Sequence, residues 1–150
     1  MKRVLQFLSK YIDINIIESK AHPIKDAFQS DDCFDDVPDE PGIYIMVAQK
    51  REFVYPKKDS PVFYIGTSKH LKTRLKTHLR RYKEAKADFK KHKSWNYSRY
   101  NYAAAFVTDI FYMRITGREN EKTLESKAME GFYDKYGALP VGNGAFSFRK

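Results

Sequence analysis

Six side chains, spaced between positions 44 and 143, are of the types that phosphodiester chemistry uses. Tyr44 closes the tripeptide Gly42-Ile43-Tyr44, and Tyr64 opens Tyr64-Ile65-Gly66. Arg74 and His78 follow one helical turn apart, and Glu130 and Asn143 come later in the chain. Cleavage by direct attack of water needs an activated water, compensation for charge growing on phosphorus, and a stabilised leaving oxygen. Tyrosine and histidine can take or relay a proton, and arginine offers a planar donor fork matched to phosphate oxygens. A single carboxylate with waters suits Mg²⁺, which keeps much of its hydration shell.

Those groups must be carried by regular elements. Ile43-Tyr44-Ile45-Met46-Val47 is β-branched and apolar and reads as a buried strand, with Val62-Phe63-Tyr64-Ile65 as its partner in a long-looped hairpin. A helix starts near Lys69, capped by Ser68, with Leu71, Leu75 and Leu79 as its core stripe. Arg74 and His78 share an adjacent face of it. Ala104 to Thr116 gives a third strand. Glu121 to Tyr136 is a second helix with Leu124, Ala128 and Phe132 in line, and Gly137 is placed to end it. Ahead of these, Lys2 to Tyr11 has helical spacing, and Ser30 to Pro41 reads as an acidic surface loop. The expected fold class is α+β: a small, mainly antiparallel three-stranded sheet flanked by helices. Residues 1–40 form an N-terminal extension of helix and acidic loop, and 41–150 form the functional domain.

Lys and Arg number 28 against 19 Asp and Glu, a net charge of +9, which favours a polyanionic partner. Asp31, Asp32, Asp35, Asp36, Asp39 and Glu40 cluster in one stretch, so the remainder is more basic still. From position 80 to 102 the chain interleaves cations with rings. Arg80, Arg81, Lys90, Lys91, Lys93, Trp95 and Arg99, together with Lys72 and Lys76, form the expected nucleic-acid contact surface. Cys33 is the only cysteine, which excludes an internal disulfide and a multi-cysteine zinc site. No run approaches the ~18 apolar residues of a membrane span. The N-terminal segment reads as an amphipathic helix rather than a signal peptide, so a cytoplasmic location is expected.

The two tripeptides in order, followed by Leu71-Lys72-Thr73-Arg74-Leu75-Lys76-Thr77-His78, resemble the GIY-YIG nuclease family over roughly Pro41 to Asn143. Arg74 stands ten residues past Tyr64, where the family has its arginine, and His78 stands where it has a histidine or tyrosine. The family's metal-binding glutamate falls on Glu125 or Glu130, which differ by about 140° around a helix. Glu130 is preferred because Tyr136-Gly137, Pro140 and Asn143 follow it. The resemblance implies a metal-dependent endonuclease that hydrolyses DNA by direct water attack. Tyr64 would activate or orient water with help from Tyr44 and His78. Arg74 would bind the scissile phosphate, Glu130 one Mg²⁺ or Mn²⁺, and Asn143 would steady the site. Thr67 stands where repair members often carry lysine, and the linker between the tripeptides is long. An inactive nucleic-acid-binding module, or a nuclease acting on RNA, are the alternatives; a partner protein or homodimer stays open.

Overall fold

A computed structural model describes residues 2–13, 15–87 and 98–143. The chain forms α1 (Lys2–Leu5), β1 (His22–Ala27), β2 (Gly42–Ala48), β3 (Val62–Ser68), α2 (Leu71–Ala87), α3 (Ser98–Ala105), β4 (Thr108–Arg114) and α4 (Glu121–Tyr136). The fold is α+β, with an antiparallel sheet of four strands in the order β1-β4-β2-β3.

Three strands were expected, and the fourth comes from the segment assigned to the N-terminal extension. His22-Pro23 does break helical spacing, but the chain then turns extended and pairs with β4, His22 opposite Tyr112. Proline is tolerated there because β1 is an edge strand and needs no inward N–H from Pro23. Phe7, Leu8 and Ile12 are buried in the same core as α4, so the N-terminal extension packs into the core as well as adding β1 to the sheet. The first helix is also shorter than its spacing suggested, closing at Leu5 and continuing as turns.

The hairpin of β2 and β3 puts alternate residues on opposite faces of the sheet, as pleating requires. Ile43, Ile45, Val47 and Ile65 meet Leu124, Ala128, Met129 and Phe132 of α4 on one face. Tyr44, Met46 and Tyr64, with Phe63 brought to the same side by the bulge opposite Met46 and Val47, meet Leu71, Leu75 and Leu79 of α2 on the other. Helix α4 begins at Asn120, whose side chain accepts from the Lys122 N–H, and ends at Gly137 with φ 85°. That left-handed value is open to glycine at little steric cost, and the Gly137 N–H bonds the Tyr133 carbonyl.

Helix α2 is anchored partly by the acidic stretch. Asp39 accepts from the Thr73 N–H at 2.9 Å and from its hydroxyl at 3.0 Å, and the Glu40 carbonyl accepts from the Leu71 N–H. These oxygens satisfy amide donors that a helix start leaves unpaired. The bond from the Thr73 amide holds the Asp39 carboxyl below its usual range. Lys76 pairs with Asp35 at 2.9 Å, and Lys83 pairs with Asp31. The loop expected to be a free surface feature therefore lies along α2 and neutralises part of it.

Candidate active site

The hydroxyl of Tyr44 reaches His78 across the space between β2 and α2, with Oη 2.6 Å from Nε2. Arg74 approaches the same oxygen, its Nε 3.4 Å away. On the far side of the imidazole, Nδ1 lies 2.8 Å from the Tyr100 hydroxyl of α3. Tyr64 sits beside Tyr44, ring centroids 6.0 Å apart, and its hydroxyl accepts from Arg99 at 2.7 Å. These six side chains come from two strands and two helices, yet they form one cluster.

Gly66 explains how Tyr44 fits. A Cβ built on Gly66 would stand 2.5 Å from the Tyr44 hydroxyl, so only glycine leaves room for the phenol beneath the edge strand. The glycine that closes the second tripeptide therefore serves the tyrosine of the first.

Burial sets the protonation states. Tyr44 is fully buried, and that pushes its phenol well above the usual tyrosine value; Tyr64 adds to the rise and Arg74 opposes it. Burial drives His78 well below the ordinary imidazole value, with the charges of Arg74 and Arg99 acting in the same direction. Both groups are neutral at physiological pH. Burial works against the Arg74 charge, but the oxygens of Tyr44 and Tyr64 outweigh it and hold the guanidinium charged. Tyr100 is raised chiefly by burial as well. Among the described residues, neither Arg74 nor Arg99 has a carboxylate within ion-pairing distance. Two guanidiniums without a described counter-charge, set beside phenol hydroxyls, offer donors suited to an anion.

Asn143 is held as a positioning residue. Its Oδ1 accepts from the Ile65 N–H at 3.0 Å and its Nδ2 donates to the Ile65 carbonyl at 2.7 Å. The side-chain amide thus pairs with the open edge of β3 in the middle of Tyr64-Ile65-Gly66. Its backbone is not left-handed, so a simple turn role does not explain it.

Glu130, expected to be the metal ligand, is not brought to this cluster; it is exposed on the solvent side of α4. The carboxylate of α4 that reaches the edge strand is Glu125, which accepts from the Thr67 hydroxyl at 2.8 Å. Gly66 faces Tyr44 and the adjacent Thr67 faces Glu125, so consecutive residues of the edge strand carry the phenols on one face and the carboxylate on the other. The helical repeat of α4 contains the reason. At 3.6 residues per turn, Glu125 lies about 60° from the centre of the Leu124–Ala128–Phe132 stripe and Glu130 about 160° from it. The spacing to Pro140 and Asn143 points to Glu130, whereas the helical face that packs on the sheet carries Glu125.

No group of three His, Cys, Asp or Glu side chains gathers to cage a metal among the described residues. Glu125 is nevertheless distinct from its neighbours. Glu119 pairs with Lys127 at 2.8 Å and Glu121 with Lys69 at 3.7 Å, whereas no described cation lies within ion-pairing distance of the half-buried Glu125. A carboxylate in that state fits one hydrated divalent ion of the kind that binds through a single protein oxygen.

The expected nucleic-acid surface divides into four groups. Lys72 is half-buried and makes no close ion pair among the described residues, although its charge acts on Asp39. Lys76 is paired with Asp35, and Arg80 and Arg81 both meet Glu84, at 2.8 and 3.7 Å. Arg99 points into the cluster instead of outward. Lys90, Lys91, Lys93 and Trp95 lie outside the described residues. Tyr100 and Thr67 were not singled out for these contacts; both are positioned by tertiary packing and had no short-range signal. Cys33 is half-buried, which raises its thiol, and it takes no part in the site. Among the described residues, no helix is long and apolar enough to cross a membrane.

No protein-family model, curated protein or solved structure matches this chain.

Proposed function

We propose that the protein is a metal-dependent endonuclease of the GIY-YIG type, hydrolysing phosphodiester bonds of nucleic acid, DNA foremost. The observation that carries this reading is Arg74: a half-buried guanidinium with no described carboxylate, held against the hydroxyl of Tyr44 and one turn from a neutral His78. A structural arginine in that position would be expected to meet an acid. One that meets only phenols is ready for a phosphate.

In this reading Arg74 binds the scissile phosphate and offsets charge as it builds on the phosphoryl oxygens. Tyr64, 6% exposed, is more accessible than the fully buried Tyr44 and orients the attacking water. Tyr44 orders Arg74 and links it to His78. Glu125 rather than Glu130 holds the metal, and Asn143 fixes the strand that carries Tyr64. A bound Mg²⁺ or Mn²⁺ would supply electrostatic stabilisation of the leaving oxygen. The +9 charge supports association with a polyanion before any of these contacts form.

The test is a cleavage panel of labelled single-stranded, double-stranded and branched DNA, plus RNA, with and without Mg²⁺ or Mn²⁺. Arg74→Ala and Glu125→Gln should each lower turnover by about 100-fold or more while leaving thermal unfolding near wild type. Salt-sensitive binding with no cleavage on any substrate would instead identify a binding module without catalytic activity.

A further inference from the structure

Helix α3 contributes two consecutive residues, Arg99 and Tyr100, to a cluster whose other members come from the hairpin and α2. Arg99 donates to the Tyr64 hydroxyl at 2.7 Å, and its guanidinium lies over the Tyr64 ring, 4.4 Å from the centroid. Its Nε is buried without a partner, so the placement leaves one donor unmet. An arginine placed for stability alone would be expected to meet a carboxylate and bury no orphan N–H. Tyr100 is 6% exposed, and its hydroxyl is the contact of His78 Nδ1, 2.8 Å away.

We propose that Arg99 and Tyr100 are positioning residues for the paired tyrosines: Arg99 fixes the Tyr64 hydroxyl, and Tyr100 fixes the proton on the His78 ring. Donor order gives the assignment. Arg74 Nε–H can only donate, so it occupies one lone pair of the Tyr44 oxygen, which favours the arrangement with the Tyr44 O–H directed at His78 Nε2. A neutral imidazole that accepts at Nε2 carries its hydrogen on Nδ1, and that N–H donates to Tyr100. The titratable and charged groups facing this ring are Tyr44 from β2, Tyr64 from β3, Arg74 from α2, and Arg99 and Tyr100 from α3. Without Tyr100 as acceptor, the tautomer with hydrogen on Nε2 competes, and the Tyr44 hydroxyl loses its fixed direction.

The kinetic consequence rests on the nuclease reading, but the spectroscopic one does not. Long-range proton–nitrogen NMR at neutral pH should show wild-type His78 as the single Nδ1–H tautomer. Tyr100→Phe, which keeps the ring and removes only the hydroxyl, should mix the two tautomers. On a cleaved substrate, Tyr100→Phe and Arg99→Gln should lower kcat by about 10- to 100-fold with KM unchanged, and Arg99→Lys should recover part of the loss. An unaltered His78 tautomer in Tyr100→Phe, or wild-type kcat in both Tyr100→Phe and Arg99→Gln, would overturn the proposal. A wild type that cuts nothing, with tautomers mixed in Tyr100→Phe, would support the positioning role and sink the nuclease reading.

Discussion

The two faces of the central sheet are built from neighbouring residues of the same strands, yet they are opposite in kind. Under α4, Ile43, Ile45, Ile65 and Met113 pack on Leu124, Met129 and Phe132, and the edge-on contact of Phe7 with Phe132 at 5.3 Å closes the layer. Burial of apolar surface does most of the work there, and the Tyr55 hydroxyl meets the Val62 carbonyl at 2.7 Å. Under α2, one residue along each strand, Tyr44 and Tyr64 meet His78, Arg74, Arg99 and Tyr100, and the contacts among these groups run from 2.6 to 3.4 Å. Such a face is stable only if its buried polar atoms find partners, and apolar isosteres would serve stability as well only if they replaced the hydrogen-bonded groups together. A fold that gathers its buried polar network on one face, with Glu125 at the edge of the other, has largely separated its scaffold from its chemistry.

Four measurements would break or sharpen that contrast. Phe132→Ala should produce the largest loss of stability, about 3–5 kcal/mol by denaturant unfolding, since the ring is fully buried and its space cannot refill. The contrast requires that the variant, where still folded, keep the His78 tautomer of the wild type. Gly66→Ala should cost less, about 1–3 kcal/mol, because the new methyl strikes the end of a ring that has no free space to swing into. Its effect on cleavage should exceed its effect on stability, and the reverse result would place Gly66 with the scaffold.

The third measurement uses pH. His78 is neutral when folded and takes up a proton when unfolded, so the unfolded state binds more protons below the ordinary value of 6.5. Stability should therefore fall as pH drops from 6.5, at no more than about 1.4 kcal/mol per pH unit from this group. His78→Asn should flatten that part of the curve, and an identical slope in the two proteins would mean the imidazole is not held neutral. The smallest effect is expected at Glu130. Glu130→Gln should change stability by less than about 0.5 kcal/mol and leave metal-dependent cleavage intact, in contrast to Glu125→Gln.

Much of this arrangement was legible before any coordinates. The Glu121–Tyr136 helix and its Gly137 stop, the hairpin and the α2 stripe follow from spacing and capping, which act over a few residues. The register of Arg74 with His78 is of the same local kind. Strand β1 was hidden because its pairing partner lies some ninety residues further on and its Pro23 imitates a breaker. The acidic stretch looked solvated because the amides it caps belong to a helix more than thirty residues away.

By itself, the sequence determined which chemical groups exist and which elements carry them, because periodicity, caps and breakers are written within one or two turns of chain. Only the tertiary structure decided that Glu125 approaches β3 while Glu130 faces water, that Asn143 clasps Ile65, and that Arg99 and Tyr100 turn inward to the tyrosines. Those outcomes depend on which helix face is buried and on contacts between residues distant in sequence. No local propensity records them, since they arise only when separate elements close on a common core.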